Sequence, residues 1–307
     1  MGLQTILGAN GTIAGVLATE LRTFTDKIRL VSRNPKKVND TDELFAADLT
    51  DPAMVEKAIM GSEVVYLMVG FDYNIKIWRE RWPKLMRASI DACIKHKAKL
   101  VFFDNVYLYD INEIGHMTEN SKINPPSEKG KVRAEIAGMM MSEIKSGRLT
   151  GLIARAPDFY GPYNEKSFLV ETVYKNILKN KRPNWFINPG KKHSFIYTPD
   201  AAKATAILGN TPDAFNQVWH LPTDKNTLTG NELIALFNKE MGASKKVQPV
   251  SMFLLKIIGL FVPMMREMPE MMYQYDRDYF FDSTKFEKRF NFVTTTYAEG
   301  IKKTVHP

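Results

Sequence analysis

One cysteine, Cys93, among 307 residues excludes an intrachain disulfide framework and a cysteine-held metal cluster. Histidine is also scarce. His96, His116, His193, His220 and His306 lie far apart and match no metal-ligand spacing, so no metal is expected. Long apolar runs are missing too: the longest, Phe253–Pro263, is too short to span a bilayer and is interrupted by Lys256. No membrane association is expected on that ground. The opening Met-Gly-Leu-Gln-Thr-Ile carries no basic leader and no cleavage-site pattern, which makes a cytoplasmic location the expectation. No internal repeat, low-complexity tract, paired carboxylates or Ser-His-Asp set stands out.

What is present is an ordinary globular composition, 44% hydrophobic and 25% charged, in a chain long enough for two lobes. The formal charge of +8 favours anionic partners, although most cations are dispersed as on a solvated surface. Two concentrations stand apart, Arg33–Lys37 and Lys179–Lys192. The second mixes cations with Trp185 and Phe186, a combination suited to a phosphorylated substrate or to nucleic acid. No recognised RNA- or DNA-binding motif accompanies it, so no nucleic-acid partner is expected.

Through about residue 157, short apolar strands alternate with helical patterns. Strands are predicted at 5–7, 27–31, 44–47, 63–69, 100–103 and 152–154, and helices at about 13–22, from Asp51-Pro52 onward, around Trp78, Trp82 and Pro83, and at 128–146. This repetition predicts an α/β fold, a Rossmann-type doubly wound parallel sheet covered by helices. A smaller, interleaved C-terminal substrate lobe is expected from 158–193 and 223–307. The nucleotide-binding domain is then 1–157 plus about 194–222. Residues 252–281 are rich in methionine and aromatics, as in a core between helices, a subunit contact or an apolar pocket; a homodimer is left open.

The sharpest signal is Gly8-Ala-Asn10-Gly11-Thr12-Ile13-Ala14-Gly15, directly after a strand and opening a helix. Glycines permit a tight turn and close approach of a pyrophosphate, and the amides of the helix N-terminus bind its charge. The end of the second strand selects the cofactor. An acid there would hold the ribose hydroxyls of NAD, but the sequence reads Val31-Ser32-Arg33-Asn-Pro-Lys36-Lys37. An arginine with neighbouring lysines suits a 2′-phosphate, so NADP(H) is the expected cofactor.

Together with these residues, Ala47-Asp48-Leu49, Val69-Gly70-Phe71, Arg155-Ala-Pro-Asp-Phe-Tyr160-Gly-Pro162 and Tyr197-Thr-Pro-Asp200-Ala occur in the order found in the extended short-chain dehydrogenase/reductase superfamily, which the chain resembles over nearly its whole length. The resemblance implies that Asp48, with Leu49, borders the adenine and that Val69 and Gly70 lie beside the cofactor ribose. It also implies a departure. Asn105 stands where the family has its catalytic serine, and Lys129 and Arg133 stand where it has the Tyr-x-x-x-Lys pair, as in atypical members.

Reduction of a carbonyl needs a proton donor near the developing alkoxide. In this pattern Asn105 is expected to polarise the carbonyl, Lys129 to stabilise or protonate the oxyanion, and Arg133 to bind ribose hydroxyls. Tyr107, Tyr109 and Tyr160 are alternative donors. The leading expectation is an NADPH-dependent reductase of a small carbonyl compound. A non-catalytic NADP(H)-binding redox sensor is the alternative, and a sugar-nucleotide epimerase or dehydratase is third.

Overall fold

The computed structural model describes residues 2–165 and 167–307. β1 (Leu3–Leu7) leads into α1 (Thr12–Leu21), followed by β2 (Ile28–Ser32), β3 (Glu43–Ala46), α2 (Pro52–Ile59), β4 (Ser62–Leu67), α3 (Ile75–His96), β5 (Lys99–Asn105), α4 (Glu128–Lys145) and β6 (Gly151–Ala156). Next come β7 (Asp158–Tyr160), a π-helical turn at Val170–Tyr174 running into α5 (Lys175–Leu178), β8 (Asn184–Phe186), β9 (Phe195–Tyr197), α6 (Thr198–Gly209) and β10 (Val218–His220). The rest is α7 (Gly230–Glu240), β11 (Gln248–Val250), α8 (Met252–Phe261), α9 (Pro263–Arg266), a 3₁₀ turn at Pro269–Gln274, α10 (Thr284–Phe290) and α11 (Tyr297–Val305).

Seven strands form one sheet in the order β10-β6-β5-β4-β1-β2-β3. β3, β2, β1, β4 and β5 pair in parallel. The apolar runs read from the sequence are the strands buried on both faces: every residue of β6 is buried, as are Val64 to Leu67 of β4. Strand order reverses between β1 and β4, the position at which open α/β sheets take a ligand beyond the strands' carboxyl ends.

The chain divides into two compact units. The first comprises the chain up to Asn105 with Lys131–Arg155 and Ala201–Trp219, and the second Val106–Gly130, Ala156–Asp200 and His220–Pro307. The second unit has two small parallel pairs, β7 with β9 and β8 with β11. No helix among the described residues is long and apolar enough to cross a membrane.

Helix boundaries follow local chemistry. Asp51 caps α2 by accepting from the Ala53 amide, with Pro52 in the first turn, where a missing N–H costs nothing. Asn74 caps α3 in the same way, and α3 ends at Lys97 in the left-handed conformation, φ 57°. Pro83 lies within α3, as the sequence pattern had it. Thr229 and Thr296 form capping boxes with Glu232 and Glu299 at the starts of α7 and α11.

Candidate functional site

Gly8 follows β1 with φ +91°, a conformation that side chains disfavour. A Cβ there would stand 2.9 Å from the Val69 backbone after β4, so glycine is needed both for the turn and for the close approach of the two strand ends. The Gly8 and Ala9 amides bond to the Val31 carbonyl at 2.9 and 3.0 Å, closing the turn over β2. Gly11 is the N-cap of α1 and offers no side-chain cap. The Gly11 amide itself donates to the Gly8 carbonyl at 3.2 Å, and the turn at Thr12 and Ile13 brings the positive end of the helix dipole to this bend, chemistry that suits a diphosphate.

The neighbouring loops complete this end of the sheet. Asn10 Nδ2 donates to the Asn34 carbonyl at 3.1 Å, tying the glycine turn to the loop after β2. Arg33 is exposed in that loop, and Ser32 before it is buried. Among the described residues, Ser32 Oγ has no hydrogen-bond partner. An orphaned buried hydroxyl next to the glycine turn is a polar group that a nucleotide's ribose could satisfy, so the residues fit a dinucleotide. Asp48 is exposed after β3, while Leu49 is half-buried. The Thr50 amide and then its hydroxyl hold the Asp48 carboxyl below its usual range, helped by the charges of Arg33 and Arg81. Arg81, on α3, is the residue that sequence reasoning missed here. Nothing in its spacing marks it, because only the fold brings it near Asp48. Val69 flanks Gly8 from the β4 side, and Gly70 after it is exposed.

At the end of β5 lies Asp104, 2% exposed. Its Oδ1 accepts from Arg133 Nε at 2.8 Å and from Arg133 Nη2, and its Oδ2 accepts from Arg155 Nε and Nη2 at 3.2 and 3.1 Å. The Arg133 guanidinium also lies 4.6 Å from the Trp82 ring centroid and 4.9 Å from that of Phe102. Arg133 is therefore a core residue of the first unit, held by a carboxylate and two aromatic faces. Asn105 is the next residue, half-buried at the strand end.

Lys129 is fully buried, 0% exposed. Its Nζ donates to Glu267 Oε2 at 2.5 Å, to Glu270 Oε1 at 2.7 Å and to the Glu267 carbonyl at 3.3 Å. The Glu128 amide also donates to Glu270 Oε2, at 2.7 Å. Lys129 thus pins the turn after α9, a role the sequence pattern gave no hint of.

The second unit carries another group that sequence reasoning missed as a set. Asp158 Oδ2 accepts from His193 Nε2 at 2.9 Å and from the Tyr275 hydroxyl at 3.1 Å. His193 stacks on Tyr279 with centroids 4.1 Å apart and on Tyr275 at 4.6 Å. Burial, reinforced by the Asp158 charge, pushes the Tyr275 and Tyr279 hydroxyls well above their ordinary range, so both stay protonated. The three suggested donors differ. Tyr107 is half-buried, whereas Tyr109 bonds to His220 Nε2 at 2.6 Å and the buried Tyr160 packs on Tyr197 and Tyr297.

The NAD(P)H-binding family model matches residues 8–121 of the chain. No curated protein matches it. Among solved structures, it is similar to UDP-glucose 4-epimerase of Thermus thermophilus in complex with NAD, with TM-score 0.79 and 17% identity over 99% of this chain and 98% of that one. Pal from Bacillus thuringiensis gives TM-score 0.80 and 16% identity over 99% and 97%. DesIV, the dTDP-glucose 4,6-dehydratase of Streptomyces venezuelae, gives 0.79 and 15% over 99% and 95%. Residues 8–121 thus match an NAD(P)H-binding domain, and the chain as a whole shares its fold with a solved sugar-nucleotide epimerase and a dehydratase.

Proposed function

We propose that the protein is an NADP(H)-dependent reductase of a small carbonyl compound. The observation that carries the cofactor choice is Arg33, exposed at the end of β2 where an NAD site places an acid, with Arg81 sharing its influence on Asp48. In this reading the bend from Gly8 to Gly11, running into Thr12 and Ile13 at the N-terminus of α1, holds the diphosphate. Asn10 braces their turn. Ser32 and Arg33 take the phosphorylated ribose, Asp48 and Leu49 border the adenine, and Val69 and Gly70 border the second ribose.

The bound cofactor supplies a hydride, so that carbonyl, NADPH and one proton give alcohol and NADP⁺. Asn105 polarises the carbonyl as a neutral donor. Arg133 and Lys129 act as positioning residues, since their charges already face Asp104 and the Glu267/Glu270 pair. The proton that balances the step is taken up from solvent at the alkoxide oxygen.

Absorbance screening of NADPH consumption across aldehydes, ketones and quinones tests the reading, and turnover of any of them supports it. The engaged charges of Lys129 and Arg133 favour one other reading, an NADP(H)-binding redox sensor. Tight NADPH binding with a silent screen selects it, and an absence of binding defeats both. Arg33→Asp should weaken NADPH binding by roughly 30- to 100-fold in calorimetry while leaving NADH within about threefold. An equal loss for both dinucleotides removes the 2′-phosphate from the proposal.

A further inference from the structure

The helix that contributes most exposed apolar surface is α8, in the second unit. Phe253 is 75% exposed, Leu260 69% and Phe261 81%, with Ile257, Val262 and Met264 exposed beside them. Phe253, Ile257, Leu260 and Phe261 follow the i, i+4, i+7, i+8 spacing of a single helix face. The buried side of α8 is narrow, limited to Leu255 and Gly259. At Gly259 a Cβ would meet the Arg266 backbone at 3.1 Å, so the helix packs tightly on α9 there. Arg266 also donates to the Gly259 and Leu260 carbonyls, closing the hairpin on itself. The usual amphipathic arrangement is inverted: the broad apolar stripe faces water.

Along the stretch of chain that carries this stripe, charge has one sign. Between Glu240 and Glu267 the sequence holds Lys245, Lys246, Lys256 and Arg266 and no acid; between Glu171 and Asp200 it holds six cations and no acid. The two stretches meet where Arg182 donates to the Lys246 and Val247 carbonyls, at the start of the paired strands β8 and β11. Lys179, Lys181, Arg182 and Lys246 are all exposed, as is Leu178 at 65%. β11 is three residues long, so this basic edge lies only about 10 Å of strand from the first turn of α8.

We infer that α8 and α9, with the basic edge at Lys179–Arg182 and Lys245–Lys246, form a docking surface for an anionic lipid bilayer, on which the protein lies without crossing. An apolar helix face flanked by lysines and bearing phenylalanine and leucine is the chemistry of an interfacial anchor. Each cation strengthens attraction to acidic headgroups. Two copies joined through this face would instead set Lys256 and its neighbours against their own equivalents, which disfavours a symmetric contact.

Flotation of the whole protein with vesicles of phosphatidylcholine containing phosphatidylglycerol, compared with phosphatidylcholine alone, tests the assignment. Binding is expected at low salt on the anionic vesicles, at least about tenfold weaker on neutral ones. Leu260→Asp with Phe261→Asp should abolish it. Lys245→Glu with Lys246→Glu, in an exposed loop, should weaken it by about fivefold or more per charge. Circular dichroism establishes that each variant is folded. Absence of flotation on anionic vesicles overturns the inference, as does binding unaffected by the α8 pair. Concentration-dependent dimerisation in sedimentation that the α8 pair abolishes, without vesicle binding, overturns it in favour of a contact between copies.

Discussion

The two buried ion clusters reverse each other's stoichiometry. In the first unit, one carboxylate, Asp104, stands between two guanidiniums; in the second, one ammonium, Lys129, stands between two carboxylates. Their accessibility differs as well. Asp104, Arg133 and Arg155 have side chains at most 4% exposed, whereas Glu267 and Glu270 are 19% and 26% exposed. The first cluster leaves a remaining partner no route to water when one member is removed, and the second does. A cation four residues from another on α4 can thus be held in two quite different ways, and its residue type alone does not tell which.

The sharpest way to break this comparison is Asp104→Asn. Two buried guanidiniums would face a neutral amide, and stability should fall by about 3–5 kcal/mol. Lys129→Met removes the minority charge of the other cluster, but its carboxylates can turn outward, so about 1–2 kcal/mol is expected. Both are read from urea unfolding midpoints. A larger loss for Lys129→Met than for Asp104→Asn would show that exposure does not govern the difference.

A smaller effect sharpens the point with a single carboxylate in the second unit. Burial raises the Glu119 carboxyl above its usual range, against the pull of the His220 amide, which it accepts at 3.0 Å. A carboxyl raised by folding favours the folded state only while protonated, so its contribution is lost as pH rises through the folded value. Glu119→Gln keeps an acceptor and removes the charge. Its thermal midpoint should exceed that of the parent at pH 8 and approach it near pH 4; a constant gap would refute the burial account.

These contrasts also explain what the sequence disclosed. The glycine turn and the strand-helix alternation were legible because their signals are local: a φ that only glycine adopts freely, and apolar runs of strand length. α6 was not, since Ala201, Ala202, Ala204 and Ala206 are all buried and small residues on several faces leave no stripe to read. β8, β9 and β11, three residues each, are too short to carry a period. The charge clusters were hidden for another reason. Lys129 finds its partners 138 and 141 residues away, and no pattern along one helix reports such distances. Residues 252–281 show the limit from the other side. Periodicity marks a helix face as apolar without saying whether protein covers it, so Met271, Met272, Tyr275 and Tyr279 are buried while Phe253 and Phe261 are not.

The path of the chain has a consequence for biosynthesis. It moves from one unit to the other five times, and the seven-stranded sheet lacks its β10 edge until Trp219 has been made. The first unit therefore cannot mature on the ribosome ahead of the other, as a contiguous N-terminal domain would. Nor can one cut by a protease release either half intact, since each is spread over three separate stretches of chain.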